Sequence, residues 1–146
     1  MNCFDSSALV KRYVEETGTD SVKSILSTGG EIATSKLTYP EILSALMRKH
    51  RAGEIAKKLL QDIVARFERD WYHILVLEFH NDLLQTVKFL LEKYPLKAAD
   101  AVHLSSALWL RNSVKVEVTF VTPDSILIKA AESENLRTLN PLDGTT

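Results

Sequence analysis

The residues of this sequence best suited to chemistry are four acids, each placed where an apolar run ends or a helical pattern begins. Carboxylates that a fold brings together repel one another and raise each other's pKa unless a cation neutralises them. Hard oxygen ligands of this kind suit Mg²⁺ or Mn²⁺. If the four side chains converge, the sequence predicts a divalent metal site. The four are Asp5, Glu41, Asp100 and Asp124.

The elements that must position these acids alternate between short apolar stretches and helical patterns. Strands are predicted at residues 1–4, 32–37, 73–77 and 116–122, with a further short strand at 137–139. Apolar residues at helical spacing predict the helices between them. Because strands separated by helices form parallel βαβ units, the pattern predicts an α/β fold. The predicted helices are 6–16, 20–27, one from about 42 to an interruption at Gly53, 55–67, 83–94, 100–110 and 125–134.

This arrangement brings the acids to one edge of the sheet. Asp5 follows the first predicted strand and Asp124 the fourth, and in an open α/β sheet ligands bind outside the carboxyl ends of the strands. Glu41 begins the helix after the second strand. Asp100 begins a helix that returns the chain antiparallel to the strands, so the amino end of that helix lies at the same edge.

Each acid also has an ordinary structural interpretation. Asp5 and Asp124 are good N-cap residues for the helices that follow them. Glu41 and Asp100 suit the positive end of a helix dipole, with Pro40 at the first helical position. Pattern alone leaves both interpretations open for each residue, although four independent caps have no reason to share one edge.

Composition limits the class of protein. The 146 residues fit a single domain, 1–146, that is 45% hydrophobic and 25% charged, as ordinary globular proteins are. Cys3 is the one cysteine, so an internal disulfide and a thiolate zinc cluster are excluded. The sequence shows neither a signal-peptide pattern nor a run of the ~20 apolar residues that a membrane span needs, so we expect a cytoplasmic protein.

Charge does not favour nucleic-acid binding by itself, since the formal net charge is −1. Local basic groups at 11–12, 48–51 and 57–58 are sufficient for a few phosphate contacts, or they form solvated helix faces. Asp100-x-x-His103 resembles zinc-ligand spacing, but complementary Cys or His ligands are missing, which favours a packed, hydrogen-bonded histidine. Trp71 and Trp109 can stack on bases, but their positions favour the core.

Four segments of the chain resemble, in order, the signatures of the PIN domain, and the whole sequence is similar to VapC-type toxin ribonucleases. The segments are DSSALVK at 5–11, PEILSAL at 40–46, LKAADAVHL at 96–104 and TFVTPDSILIKAA at 119–131. The four acids match the acidic quartet of the family position by position. Pro123 is a mild departure, since the family often has a small residue there.

The resemblance implies a three-layer α/β/α fold with a central parallel sheet of four or five strands and Mg²⁺- or Mn²⁺-dependent hydrolysis of RNA. It also implies neutralisation by a small VapB-type antitoxin. Within the site we expect Asp5 and Asp100 as principal metal ligands, with Glu41 and Asp124 completing the set.

Other expectations remain open beside this assignment. Ser6 and Thr122 are candidates for hydrogen bonds to a carboxylate, a metal-bound water or a phosphate, or for local capping. We also expect a homodimer, formed through the helices between residues 41 and 67. The alternatives are a non-catalytic binding module and a receiver-like phosphoacceptor. A receiver domain needs an Asp after the third strand, where this chain has Glu78 and Phe79.

Overall fold

The computed structural model describes residues 1–143 and contains a five-stranded, fully parallel sheet. Its strand order is β3-β2-β1-β4-β5, which confirms the parallel α/β prediction, including the short fifth strand. The first four strands are shorter than predicted, and the fifth has the predicted bounds. They are β1 (Asn2–Phe4), β2 (Ile32–Ser35), β3 (Leu75–Leu77), β4 (Thr119–Val121) and β5 (Arg137–Leu139).

Helices cover both faces of this sheet and give the expected three layers. Within residues 1–143 the α-helices are α1 (Ser6–Leu9), α2 (Thr19–Ser27), α3 (Thr38–Arg51), α4 (Lys57–Trp71), α5 (Leu84–Lys93), α6 (Ala98–Ser113) and α7 (Ser125–Ser133). Single 3₁₀ turns follow α1 at Val10–Arg12 and precede α5 at Asn81–Leu83.

The core is divided between the two faces because successive side chains of a strand point to opposite sides. Cys3 and Phe120 pack with α5, α6 and α7 on one face. Phe4 and Val121 pack with α1 to α4 on the other face, where Phe67 is fully buried. Both sides of the central strands are therefore apolar, and polar side chains concentrate at the strand ends.

The strand order places a topological switch point between β1 and β4. From β1 the chain builds outward through β2 and β3, and it then crosses to β4 and β5 on the other side. The connections on the two sides diverge at this point and leave a crevice outside the carboxyl ends of the strands, where ligands of open α/β sheets bind. Asp5 follows β1 directly, and Thr122 follows β4 directly.

The first predicted helix, 6–16, is wrong beyond its opening turns. The α-helix ends at Leu9, and one 3₁₀ turn carries the chain to Arg12. Tertiary contacts override local propensity here. The Tyr13 hydroxyl donates to Asp70 at 2.7 Å, and Gly18 has a positive φ of 94° that starts α2 in a new direction.

Helices α3 and α6 both begin earlier than predicted. Pro40 is the third residue of α3 and not the first, and Asp100 is the third residue of α6. Proline is accepted in the first turn because the N–H groups of that turn have no intrahelical acceptor. Glu41 and Asp100 both remain in the first turn of their helices, so they still lie at the predicted edge of the sheet.

The two tryptophans differ from each other. Trp71 is partly buried and packs edge-on against Phe67 and Tyr39, as predicted. Trp109 is 40% exposed, so its assignment to the core is wrong. It lies on the outer side of α6 and contacts the ring of His80. In the described part of the chain, no helix has the length and apolar character that crossing a membrane requires.

Candidate active site

Asp5 is held at the switch point by two hydrogen bonds. Its Oδ1 accepts the Ala8 N–H at 2.8 Å, which makes it the N-cap of α1, and its Oδ2 accepts the Thr122 hydroxyl at 2.7 Å. The side chain is almost completely buried. Burial is the main reason that the pKa of Asp5 rises to about 6, and the charge of Asp100 raises it further against these hydrogen bonds.

Glu41 is held by His103, one turn after Asp100 on α6. The Glu41 Oε1 lies 2.5 Å from the His103 Nε2. Because a carboxylate only accepts, Nε2 is the donor of this bond. Burial favours a higher pKa for Glu41, but the His103 hydrogen bond and charge, with a smaller contribution from Ser6, lower it below its usual value. The packed, hydrogen-bonded histidine is therefore confirmed.

Asp100 and Asp124 complete the acidic edge. Burial raises the pKa of Asp100, and the negative charges of Asp124 and Glu41 raise it further. Asp124 is the N-cap of α7, and its Oδ1 accepts the N–H groups of Ile126 and Leu127 at 2.9 and 3.0 Å. The structure therefore brings all four predicted acids within electrostatic reach, with Ser6 and Thr122 beside them.

In this site Asp5 and Asp124 each cap a helix and also lie with the other acids at one edge of the sheet. Asp5 and Asp124 are both caps, as their ordinary interpretation predicts, yet a cap uses only some of the carboxylate lone pairs. The remaining lone pairs can accept from water or bind a cation. Capping fixes where these carboxylates point and does not compete with a site at the strand ends.

The donor chemistry fits a hard divalent cation. Four carboxylates share the edge, and Asp5 and Asp100 have raised pKa values that a bound cation would lower. Within residues 1–143, no three His, Cys, Asp or Glu side chains are grouped closely enough to hold one ion by themselves. This arrangement suits Mg²⁺, which usually binds one or two carboxylates and keeps waters or substrate phosphates as its other ligands.

Two depressions flank the start of α3. A cavity of about 570 Å³ extends from Ser6 and Glu41 towards Arg48. A larger apolar groove of about 840 Å³ is lined by residues that include Tyr39, Trp71 and Phe79. Sequence reasoning missed both, although Glu41, Ser44 and Arg48 have the helical spacing that could have indicated the first.

The class defined by fold and site is a parallel three-layer α/β domain with an acidic edge at its switch point. The sequence model of the PIN domain matches residues 3–133, and this chain belongs to the PIN domain family. It is therefore not a receiver domain.

Known proteins extend this assignment. The chain is 37% identical over 106 residues to Ribonuclease VapC45 of Mycobacterium tuberculosis strain CDC 1551. The aligned region covers 72% of this chain and 73% of that relative. The fold resembles FitAcB from Neisseria gonorrhoeae with a TM-score of 0.70 and 17% identity, over 99% of this chain and 100% of the other. A toxin–antitoxin complex from Klebsiella pneumoniae has a TM-score of 0.69 and 17% identity, over 97% and 98% of the two chains.

Proposed function

We propose that this protein is a metal-dependent endoribonuclease and the toxin of a VapBC-type toxin–antitoxin pair. The observation that carries the proposal is the acidic edge, where burial is the main reason that the pKa of Asp5 and of Asp100 is raised and where neighbouring carboxylates raise it further, although His103 partly offsets both. The ribonuclease relative, of which the chain covers most of the length, supports RNA as the substrate. A non-catalytic binding module would have no need of four converging acids.

In this proposal Asp5 and Asp100 are the principal ligands of Mg²⁺ or Mn²⁺, and Glu41 and Asp124 complete the site directly or through water. A divalent ion here would draw charge from the phosphoryl oxygens and supply a nucleophilic water near neutral pH. Thr122 and the Ala8 N–H fix the Asp5 carboxylate in one orientation.

Glu41 has a different part in the mechanism. His103 occupies Oε1 of its carboxylate, which leaves Oε2 to accept from Ser6 or from a water beside the phosphate. The lowered pKa keeps this carboxylate ionised at neutral pH, so that it can orient a water by accepting a hydrogen bond from it.

The proposal is tested by RNA cleavage with purified protein. The wild-type chain should cleave single-stranded RNA with Mg²⁺ or Mn²⁺ and stop with EDTA. Asp100→Asn should abolish cleavage, while Asp62→Asn, the same change at an exposed acid on α4, should not. Cleavage that continues unchanged in EDTA or in Asp100→Asn contradicts the proposal.

A partner that protects the host cell follows from the toxin assignment. An antitoxin segment over the acidic edge would offer a cation to the carboxylates, and Arg suits this because its guanidinium can bond a carboxylate bidentately. The solved structures of similar fold include toxin–antitoxin complexes. We also propose a homodimer through the region of α3 and α4.

Growth tests the toxin part separately. Expression of this chain alone should arrest cells, Asp100→Asn should remove the arrest, and the small protein encoded beside this gene should restore growth. If a soluble chain that cleaves RNA in vitro does not affect growth, the toxin assignment fails while the nuclease assignment survives.

A further inference from the structure

The cavity beside Glu41 is lined by a cationic side chain, Arg48, that has no part in the proposed catalytic site. It lies between the start of α1 and the first half of α3, and it has a volume of about 570 Å³. Its lining includes the hydroxyls of Ser6, Ser7 and Ser44 as well as the side chains of Lys11 and Arg48. We call this cavity the α1–α3 basin.

One stripe of α3 forms the basin wall. Glu41, Ala45 and Arg48 follow one another at helical spacing, with Ser44 between them, so they share a face of the helix. Seven residues of helix place Arg48 about 10.5 Å along the axis from Glu41. The short side chains of Ser44 and Ala45 keep the wall open between the acidic edge and the guanidinium.

The two cations of the basin differ in their partners. The Lys11 ammonium lies 3.0 Å from the Glu16 carboxylate, so its charge is already compensated. Arg48 is exposed and donates from Nη1 to the Ser44 hydroxyl at 2.8 Å. No carboxylate within residues 1–143 forms an ion pair with Arg48. Ser44 therefore directs an uncompensated guanidinium along the basin wall.

A polyanionic substrate needs such a cation near this acidic edge. The four acids repel the RNA phosphates, and the net charge of the chain is −1, so general electrostatic attraction is weak. A cation two helical turns from Glu41 is too distant for the scissile phosphate and suitably placed for a neighbouring one. Arg also binds phosphate bidentately.

We propose that the α1–α3 basin binds the RNA strand next to the cleaved bond, with Arg48 contacting a non-scissile phosphate and the serine hydroxyls donating to the sugar–phosphate backbone. This proposal rests on the ribonuclease function proposed above. The described lining has no aromatic side chain on which a base can stack. The basin therefore positions the strand and does not read its sequence.

Binding and cleavage can be measured separately. In an Asp5→Asn background without divalent ions, fluorescence anisotropy of a labelled single-stranded RNA gives affinity as a function of salt. Arg48→Glu should weaken binding about tenfold and lower the salt slope by about 0.7, the value for one lost phosphate contact on a single strand. Arg48→Lys should keep most of the slope.

Arg69→Glu is the matched control. Arg69 is exposed, lies outside the basin lining, and occupies the last turn of α4, as Arg48 does in α3. Charge reversal therefore has the same net charge change and a similar cost against the helix dipole in both variants. With Asp5 intact, Arg48→Glu should raise KM for RNA cleavage about tenfold and leave kcat close to that of Arg69→Glu.

The possible results separate this proposal from the function on which it rests. If Arg48→Glu and Arg69→Glu have equal affinity and salt slope, the basin proposal is overturned while cleavage stands. If Arg48→Glu weakens only the complex with the neighbouring small protein, the basin binds that protein and the RNA proposal is again wrong. If the wild-type chain neither binds nor cleaves RNA, both proposals fail.

Discussion

Two carboxylates of this molecule, one partly exposed and one buried, have opposite electrostatic environments. Asp70, at the end of α4, accepts hydrogen bonds from the Arg12 guanidinium at 2.8 Å and the Tyr13 hydroxyl at 2.7 Å. Asp5, at the switch point, accepts only from a backbone N–H and the Thr122 hydroxyl. Burial favours a higher pKa in both, but the Tyr13 and Arg12 bonds lower the pKa of Asp70, whereas the pKa of Asp5 rises to about 6.

The difference shows which carboxylate serves the fold and which is available to a ligand. Asp70 has its counter-cation inside the protein and links the turn after α1 to α4. Asp5 forms no ion pair within residues 1–143, and burial, with a smaller contribution from the charge of Asp100, outweighs its hydrogen bonds and the nearby His103, so its ionised form is stabilised poorly by the fold itself. A buried group in a cleft whose ionised form is disfavoured by its surroundings is a candidate functional group for this physical reason.

The largest expected effect is on catalysis. Asp5→Asn should lower RNA cleavage by roughly 10²–10³-fold, the typical cost of losing one group that stabilises transition-state charge. Asp70→Asn should keep cleavage within about threefold of wild type, the usual context-dependent scatter of single contacts. Single-turnover cleavage below the melting temperature is the measurement, and equal losses in the two variants would remove the distinction between the carboxylates.

The second effect is on stability as a function of pH. Because the folded pKa of Asp5 is raised to about 6, the folded state binds a proton that the unfolded state has lost between pH ~4 and ~6. Wild-type stability in EDTA should therefore fall as pH rises through this window, by at most on the order of 3 kcal/mol from this group. Asp5→Asn should flatten the profile.

Urea unfolding from pH 4.5 to 8 measures this difference. Asn remains a good N-cap for α1, so the variant removes the charge with little loss of structure. Mn²⁺ should restore wild-type stability at the high-pH end, since a ligand of the folded state stabilises it by mass action. Parallel profiles for wild type and Asp5→Asn would show that Asp5 does not titrate as inferred.

The third effect is on the stability that the ionised Asp70 carboxylate gives to the fold. Its lowered pKa means that the ionised form stabilises the fold above pH ~4 and that this contribution is lost as pH falls through the folded pKa. Asp70→Asn should lower the free energy of unfolding by about 1–2 kcal/mol at pH 7, because two charge-assisted hydrogen bonds are weakened at a partly exposed site. Asp62→Asn is the control, and an equal, small change in both variants would assign Asp70 no stabilising role.

Sequence reasoning predicted the acidic edge better than the internal ion pair, for physical reasons. Asp5 and Asp124 follow short apolar strands, and Glu41 and Asp100 lie in the first turns of helices that begin at the same edge of the sheet. Parallel topology brings these positions together without any need to predict individual side-chain contacts. The Asp70 cluster joins residues 57 positions apart or more, and no periodicity connects them. The same contacts ended α1 early, where helical spacing alone predicted a helix to residue 16.

The contacts between the site residues were harder to predict from the sequence than the identities of those residues. His103 was expected to be packed, but its bond to Glu41 depends on how α6 lies against α3, which the sequence does not specify. The exposed position of Trp109 likewise depends on which face of α6 the sheet covers. Charge patterns indicated basic groups near 11–12 and 48–51, but only the fold shows that Arg12 is paired with Asp70 while Arg48 is not paired within residues 1–143.

The smallest expected effect comes from His103, which we infer positions Glu41. Removing the partner that orients a site carboxylate typically costs 10–100-fold in activity or metal affinity, and His103→Ala should lower kcat/KM by about tenfold, near the lower end of this range. His103→Gln should recover part of the loss, because its amide N–H can donate to Glu41 from nearly the position of Nε2.

A double-mutant cycle separates positioning from general destabilisation. In a Glu41→Gln background, which has lost the charged acceptor, His103→Ala should have little further effect on cleavage. A merely structural histidine would lower activity equally in both backgrounds. That result would leave Glu41 without an orienting partner and would make its lowered pKa irrelevant to catalysis.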